Sequence, residues 1–169
     1  MKVFANPGQF AAFLLKAAAE VAVGAQVGLE AAAKLIQTDA QGQLGNYQPA
    51  VGGFPAWAPL SPVTLGIKET KGYPVPSPLL VTGALRDSIV TEVSPWEAII
   101  GSTSPIAAYQ EFGTSTTGWG GAGIPPRPFL GPAAFKNKEA IRAIIGAAVI
   151  AGFSGGTSIT FKGGYNMEV

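Results

Sequence analysis

Apolar residues recur over the first forty positions with a period near 3.6. Leu14, Ala18, Val21, Ala25, Leu29, Ala32 and Ile36 fall on one face, and Lys16, Glu20, Glu30 and Lys34 fall on the opposite one. This predicts an N-terminal helix over 6–38. Asn6 and Pro7 supply its start: Asn caps free amides, and Pro lacks the N–H that a first turn cannot pair. Gln9 stands where a capping-box partner belongs. Val23 and Val27 interrupt the charged face, either as harmless exposed valines or as a patch that meets a neighbouring subunit. Gly24 and Gly28 are poor helix formers, but their spacing permits close approach of another backbone.

From 40 to 80 the periodicity is lost. Prolines at 49, 55, 59, 62, 74, 76 and 78 exclude a long helix or a central strand. An extended Pro-rich arm is expected here, pinned by Trp57, Leu60, Leu65 and Ile67. Ser61 and Pro62 start one helical turn over 61–68. Thr82–Asp87 reads as a turn, with or without a single helical turn. Ser88–Val93 and Ala98–Ser102 alternate and are joined by Ser94–Glu97, which predicts a hairpin. Ser104-Pro105 opens a short helix that ends at Gly113. A loop over 113–128 follows, glycine-rich at first and then stiffened around Arg127 by Pro125, Pro126 and Pro128. The last helix is expected over 132–152, with Ile141, Ile144, Ile145 and Ala148 inward and Ser154-Gly155-Gly156 as its stop. Thr157–Lys162 is expected to return to the same sheet, and the tail after Gly163 to be loose or ordered by a partner.

These elements predict an α+β fold. A small antiparallel or mixed sheet packs against two long helices, with long Pro/Gly-rich arms. The chain is expected to form a single domain over 1–169, with the sheet, short helix, loop and C-terminal helix between 82 and 162.

Composition narrows the function. Hydrophobic residues make up 47% and charged residues 12%, against about 25% charged in an ordinary soluble domain. Such a surface is either buried in an assembly or built from Gly, Ser, Thr, Gln and Ala. The 23 glycines and 14 prolines favour assembly, because long loops gain order from partners. The net charge is +1, with no basic stripe to grip phosphates. Cysteine and histidine are both absent. That removes disulfides, thiolate nucleophiles, zinc–sulfur sites and the commonest general base. The N-terminal apolar run belongs to an amphipathic pattern and does not read as a targeting segment, and no membrane partner is expected.

Candidate chemistry is thin. The run Gly118-Trp119-Gly120-Gly121-Ala122-Gly123 lacks the Lys-Ser or Lys-Thr of a phosphate loop and leads into Ile-Pro-Pro. Glu111 and Asp87 form an acid pair only if they face one cleft within about 5–10 Å. Otherwise they neutralise Arg86 or Arg127, or cap amides. No serine has a base to activate it. Arg127 suits a bidentate carboxylate contact, and an internal tie to Glu111 is the preferred reading over a partner contact. Phe129 and Leu130 anchor the start of the last helix. No catalytic residue, metal site or cofactor is expected.

Four blocks in order carry a family resemblance. Trp57-Ala58-Pro59-Leu60-Ser61-Pro62-Val63-Thr64 is similar to a W-x-P-L-S-x-x-T segment. Pro78 through Ile89 is similar to P-L-L-x-T-G-x-L-R-x-S-I. Tyr109-Gln110-Glu111-Phe112-Gly113-Thr114 resembles Y-x-x-H-E-F-G-T with a shortened gap, and Ile124-Pro125-Pro126-Arg127-Pro128-Phe129-Leu130 is similar to a P-x-R-P-F-L block. Together they resemble the virion-morphogenesis, tail-completion or neck proteins of long-tailed double-stranded-DNA phages, over about 57–130. The chain departs from that pattern at Gln110, where a His is usual, and in its longer glycine insertion.

The resemblance implies a non-enzymatic ring subunit, commonly hexameric, around the channel that DNA crosses. Its neighbours would be head-closure or connector proteins and tail-terminator or tail-tube proteins. It would sit at the head–tail neck of the virion, assembled in the host cytoplasm, with no sequence-specific nucleic-acid contact. Trp57, Leu85, Arg86, Tyr109, Glu111, Phe112, Arg127 and Phe129 are the expected interaction residues. The alternatives are a tail-terminator or head-closure ring, a small acid-dependent hydrolase, and a monomeric module that binds peptides on a sheet edge.

Overall fold

Asn6 caps the first helix. Its Oδ1 accepts the Gln9 amide at 2.9 Å, and Gln9 Oε1 accepts the Ala5 amide at 3.0 Å. The computed structural model describes residues 4–116, 123–153, 159–161 and 165–167, the last two stretches by backbone alone. Helix α1 runs Pro7–Gln43, five residues beyond its expected end. Burial explains the extension, since Ala40 is fully buried and Gln43 nearly so. The elements that follow are α2 (Pro62–Thr70), α3 (Ala84–Asp87), β1 (Ile89–Ser94), β2 (Glu97–Ser102), α4 (Pro105–Phe112), α5 (Leu130–Lys136), α6 (Lys138–Phe153), β3 (Ile159–Phe161) and β4 (Tyr165–Met167). The architecture is α+β, as the pattern predicts.

Two boundaries differ from expectation. The last helix is broken at Asn137, whose side-chain amide donates to Ala133 O and to Asp39 Oδ2, both at 2.8 Å. Asn competes with the helical ladder in this way. β3 does not return to the β1–β2 sheet. It pairs antiparallel with β4, Thr160 opposite Asn166, as a separate two-stranded sheet. Only three residues separate the strands, so closing this local pair costs far less chain entropy than a distant one. The stop at Ser154-Gly155-Gly156, the ends of the expected strand (Thr157, Ser158, Lys162) and residues 117–122 lie outside the described residues.

The chain packs as two compact units. The first comprises Met1–Ala33, Val93–Ala98 and Glu139–Val169. Its core is a close antiparallel crossing of α1 and α6. A Cβ on Gly24 would collide with the Ala148 carbonyl oxygen and lie 3.2 Å from Gly152 Cα. One on Gly28 would lie 2.9 Å from Ala148 Cβ and 3.0 Å from Ile145 Cα. Ala25, Ala32, Ile144 and Ala148 are buried. By length and composition alone, α1 would also be able to cross a bilayer. Its first turns leave Phe10, Leu14 and Leu15 exposed, and Val23 is exposed too.

The second unit comprises Lys34–Glu92 and Ile99–Lys138. Its core is Ala40, Leu44, Trp57, Ile89, Ala107, Phe129 and Ala133. Full burial of Phe129 or Ile89 contributes about 1.5–3 kcal/mol each. Ser61 caps α2 by accepting the Thr64 amide, so the expected single turn grows to nine residues. The buried residue of α2 is Lys68, while Ile67 remains 43% exposed. Lys68 Nζ donates to Ser77 O at 2.5 Å and Leu80 O at 2.7 Å, holding the proline-rich segment against the helix. β1 and β2 join through Pro95-Trp96, a connection so short that only an antiparallel pair is possible.

Candidate assembly site

The four sequence blocks lie in the second unit: those at 57–64, 109–114 and 124–130 form a knot of side-chain-to-backbone bonds, and Pro78–Ile89 supplies Leu79, Leu85 and Ile89 to the core. Trp57 is buried, and its indole N–H donates to Pro128 O at 2.8 Å. Arg127 is buried beside it. Its Nε and Nη2 donate to Ala58 O at 3.2 and 3.0 Å, and Nη2 also reaches Pro59 O at 3.3 Å. The expected tie from Arg127 to Glu111 is therefore not made. Burial lowers the Arg127 pKa from its ordinary value, an effect that Tyr47 partly offsets. Carbonyl dipoles replace a carboxylate as the partners of this cation.

Glu111 instead turns to the start of α5. Its Oε2 accepts the amides of Phe129 at 2.7 Å and Leu130 at 3.1 Å, and Oε1 accepts Gly131 at 2.9 Å. These are unpaired first-turn donors, and a carboxylate also opposes the positive end of the helix dipole. Phe129 occupies the cap position but offers no side-chain acceptor. The cap comes from eighteen residues upstream. The Arg127 amide donates to Gln110 O at 2.6 Å. The helix α4 is thereby tied at its C-terminal end both to the Pro-rich run and to α5.

This fixes what α4 presents outward. Ile106, Tyr109 and Phe112 follow each other at every third residue and are 54%, 49% and 80% exposed, whereas Ala107 is buried. Gly113 ends the helix at φ 70°, a conformation that favours glycine. Thr114 then pairs with Ile124, amide to carbonyl at 2.9 Å, so the base of the 113–128 loop is closed. The glycine-rich middle of that loop, 117–122, is not among the described residues.

The eight expected interaction residues thus separate. Trp57, Glu111, Arg127 and Phe129 build the knot. Tyr109 and Phe112 stand on its surface. Leu85 is half-buried against the core, and Arg86 pairs with its neighbour Asp87 at 3.0 Å. Asp87 is paired with Arg86, and Glu111 accepts three backbone amides. Sequence reasoning missed Lys68, which looks like an ordinary surface lysine at its position in α2. Gln43 also went unremarked, and both of its side-chain polar atoms are buried without a protein partner.

The profile of the phage virion morphogenesis family matches residues 10–149. A Mu-like prophage FluMu G protein 2 from Haemophilus influenzae is 39% identical over 80 residues, 47% of this chain and 50% of that protein. The match thus spans about half the length of the curated relative. No solved structure matches the chain.

Proposed function

Because the chain belongs to the phage virion morphogenesis family, we propose that it is a structural protein of the virion neck. It completes the tail or joins it to the head, as one subunit of a ring, six-fold in the simplest case, around the DNA channel. It acts by binding neighbours and carries out no chemical step. The observation that carries this reading is the rigid presentation of Ile106, Tyr109 and Phe112. A knot in which Trp57, Glu111 and Arg127 all bond to backbone groups holds an exposed, uncharged face of Ile106, Tyr109 and Phe112, and such faces mark protein interfaces.

Low charge supports the same reading. Interface cores are depleted in charge, and a net charge of +1 does not retard DNA moving through a channel. The neighbours would be connector or head-closure proteins on one side and tail-terminator or tube proteins on the other. Electron microscopy of particles from phage lacking this chain tests the proposal. Filled heads beside separate tails of finished length are expected. Intact, normal virions would remove the structural role.

A further inference from the structure

Phe112 is the most exposed of the large apolar side chains described, at 80%, and Tyr109 lies beside it on the same face of α4. On α2 of the same unit, Val63, Gly66, Ile67, Thr70 and Lys71 line a shallow groove of ≈ 330 Å³. A cavity of about 150 Å³ holds a benzene molecule, so the groove has room for an aromatic ring. Val63 and Ile67 leave 58% and 43% of their surface in water. A Cβ on Gly66 would meet nothing within 4 Å, so the middle of the groove is open.

Charge also matches. The groove's one ionic group is Lys71, which makes no ion pair among the described residues. The α4 face offers it aromatic rings, a favourable setting for an ammonium. The one carboxylate of α4, Glu111, is turned inward onto three amides. Docking would therefore set Lys71 against aromatic rings and bring no carboxylate of α4 into the groove.

We infer that Phe112, with Tyr109, seats in the α2 groove of a second copy of this chain. The inference rests on the ring reading above and names the contact that builds it. The two patches differ, so the contact is head-to-tail: each copy offers a ring to one neighbour and a groove to the other. Such a contact propagates until it closes on itself. Phe112 would be the hot spot of a wider interface, since stable contacts cover about 800 Å² per partner.

The test uses the full chain and sedimentation velocity. Phe112→Ala removes the ring but keeps the groove. Gly66→Phe fills the groove but keeps the ring. Val63→Glu is a second groove variant, and all three sites are exposed, so circular dichroism should show native folds. Wild type is expected to form closed oligomers, and each variant alone to be monomeric, with at least a tenfold weaker association. An equimolar mixture of Phe112→Ala with Gly66→Phe should form dimers and nothing larger, because only one joint per pair is intact. Oligomers of Phe112→Ala like those of wild type, or a mixture that stays monomeric, would overturn this contact and leave the ring reading standing. A wild type that is monomeric at every concentration would count against both.

Discussion

At the scale of single residues, charge is satisfied by backbone. Glu111 and Arg127 are opposite in sign and sixteen residues apart, and sequence reasoning pairs them. The structure gives each to peptide groups instead: three amides for the carboxylate, two carbonyls for the guanidinium. Amide capping was one reading open to Glu111, but which amides it would cap was illegible in sequence, because every residue carries the same backbone partners. Glu111→Gln keeps the shape but has only one acceptor oxygen for three donors. It should lower the unfolding free energy by about 1–3 kcal/mol, the range for leaving a buried donor unsatisfied, measured by urea titration. Phe112→Ala on the outer face of the same helix should leave that value unchanged at concentrations where wild type is monomeric.

Lys68 makes a second residue-scale prediction. Burial lowers its pKa from 10.5. The folded state therefore binds this proton less readily than the unfolded state, and the group's contribution to stability rises as pH climbs through the folded pKa towards 10.5. Lys68→Met removes the titration but leaves the carbonyls of Ser77 and Leu80 without their donor. The variant should be less stable at pH 7 by about 1–3 kcal/mol, and its deficit relative to wild type should grow between pH 7 and pH 10. Urea midpoints at both pH values check this. A deficit that shrinks on the alkaline side would show that the ammonium is stabilised by the fold.

At the scale of elements, most of the order was legible. Asn6, Ser61 and Gly113 mark helix ends because capping is a local matter of one side chain or one φ angle. The hairpin was legible from alternation and a short turn. The break at Asn137 was not, because it depends on Asp39, distant in sequence. Nor was the pairing of β3 with β4, since a strand pattern does not name its partner. The glycine pair in α1 was legible as a close approach, although its partner helix was not. Two glycines in helix interiors now separate intrinsic propensity from packing. Gly146→Ala in α6 adds a Cβ that meets nothing within 4 Å, and it should stabilise the protein by roughly 0.5–1 kcal/mol. Gly28→Ala gains the same propensity but drives its Cβ against Ala148 and Ile145. It should be neutral or destabilising, and Gly28→Val clearly so, by about 1–3 kcal/mol. Thermal melts of the three variants decide the ranking.

At the scale of the molecule, the ion pairs among the described residues are all local: Lys16–Glu20, Arg86–Asp87 and Arg142–Glu139, with exposed side chains on at least one member of each. Ties that span long stretches of chain are instead hydrogen bonds, mostly from side chain to backbone, as from Trp57 to Pro128 and from Gln37 to Ile89, beside the side-chain pair Asn137–Asp39. Composition already made this legible in outline, since 12% charge cannot knit a surface with salt bridges. The same scarcity bears on assembly. Screening lengths fall from ~10 Å at 0.1 M salt to ~3 Å at 1 M, which weakens exposed ionic contacts but not apolar ones. Sulfate, which is excluded from protein surfaces, strengthens apolar burial. The proposed oligomer should therefore keep its sedimentation coefficient from 0.1 to 1 M sodium chloride, and its dissociation constant should fall in sodium sulfate. The urea midpoint of the monomer should move little across the same chloride series. An oligomer that falls apart as chloride rises would mean that the joints are ionic. The aromatic face of α4 would then have to be assigned to a different neighbour.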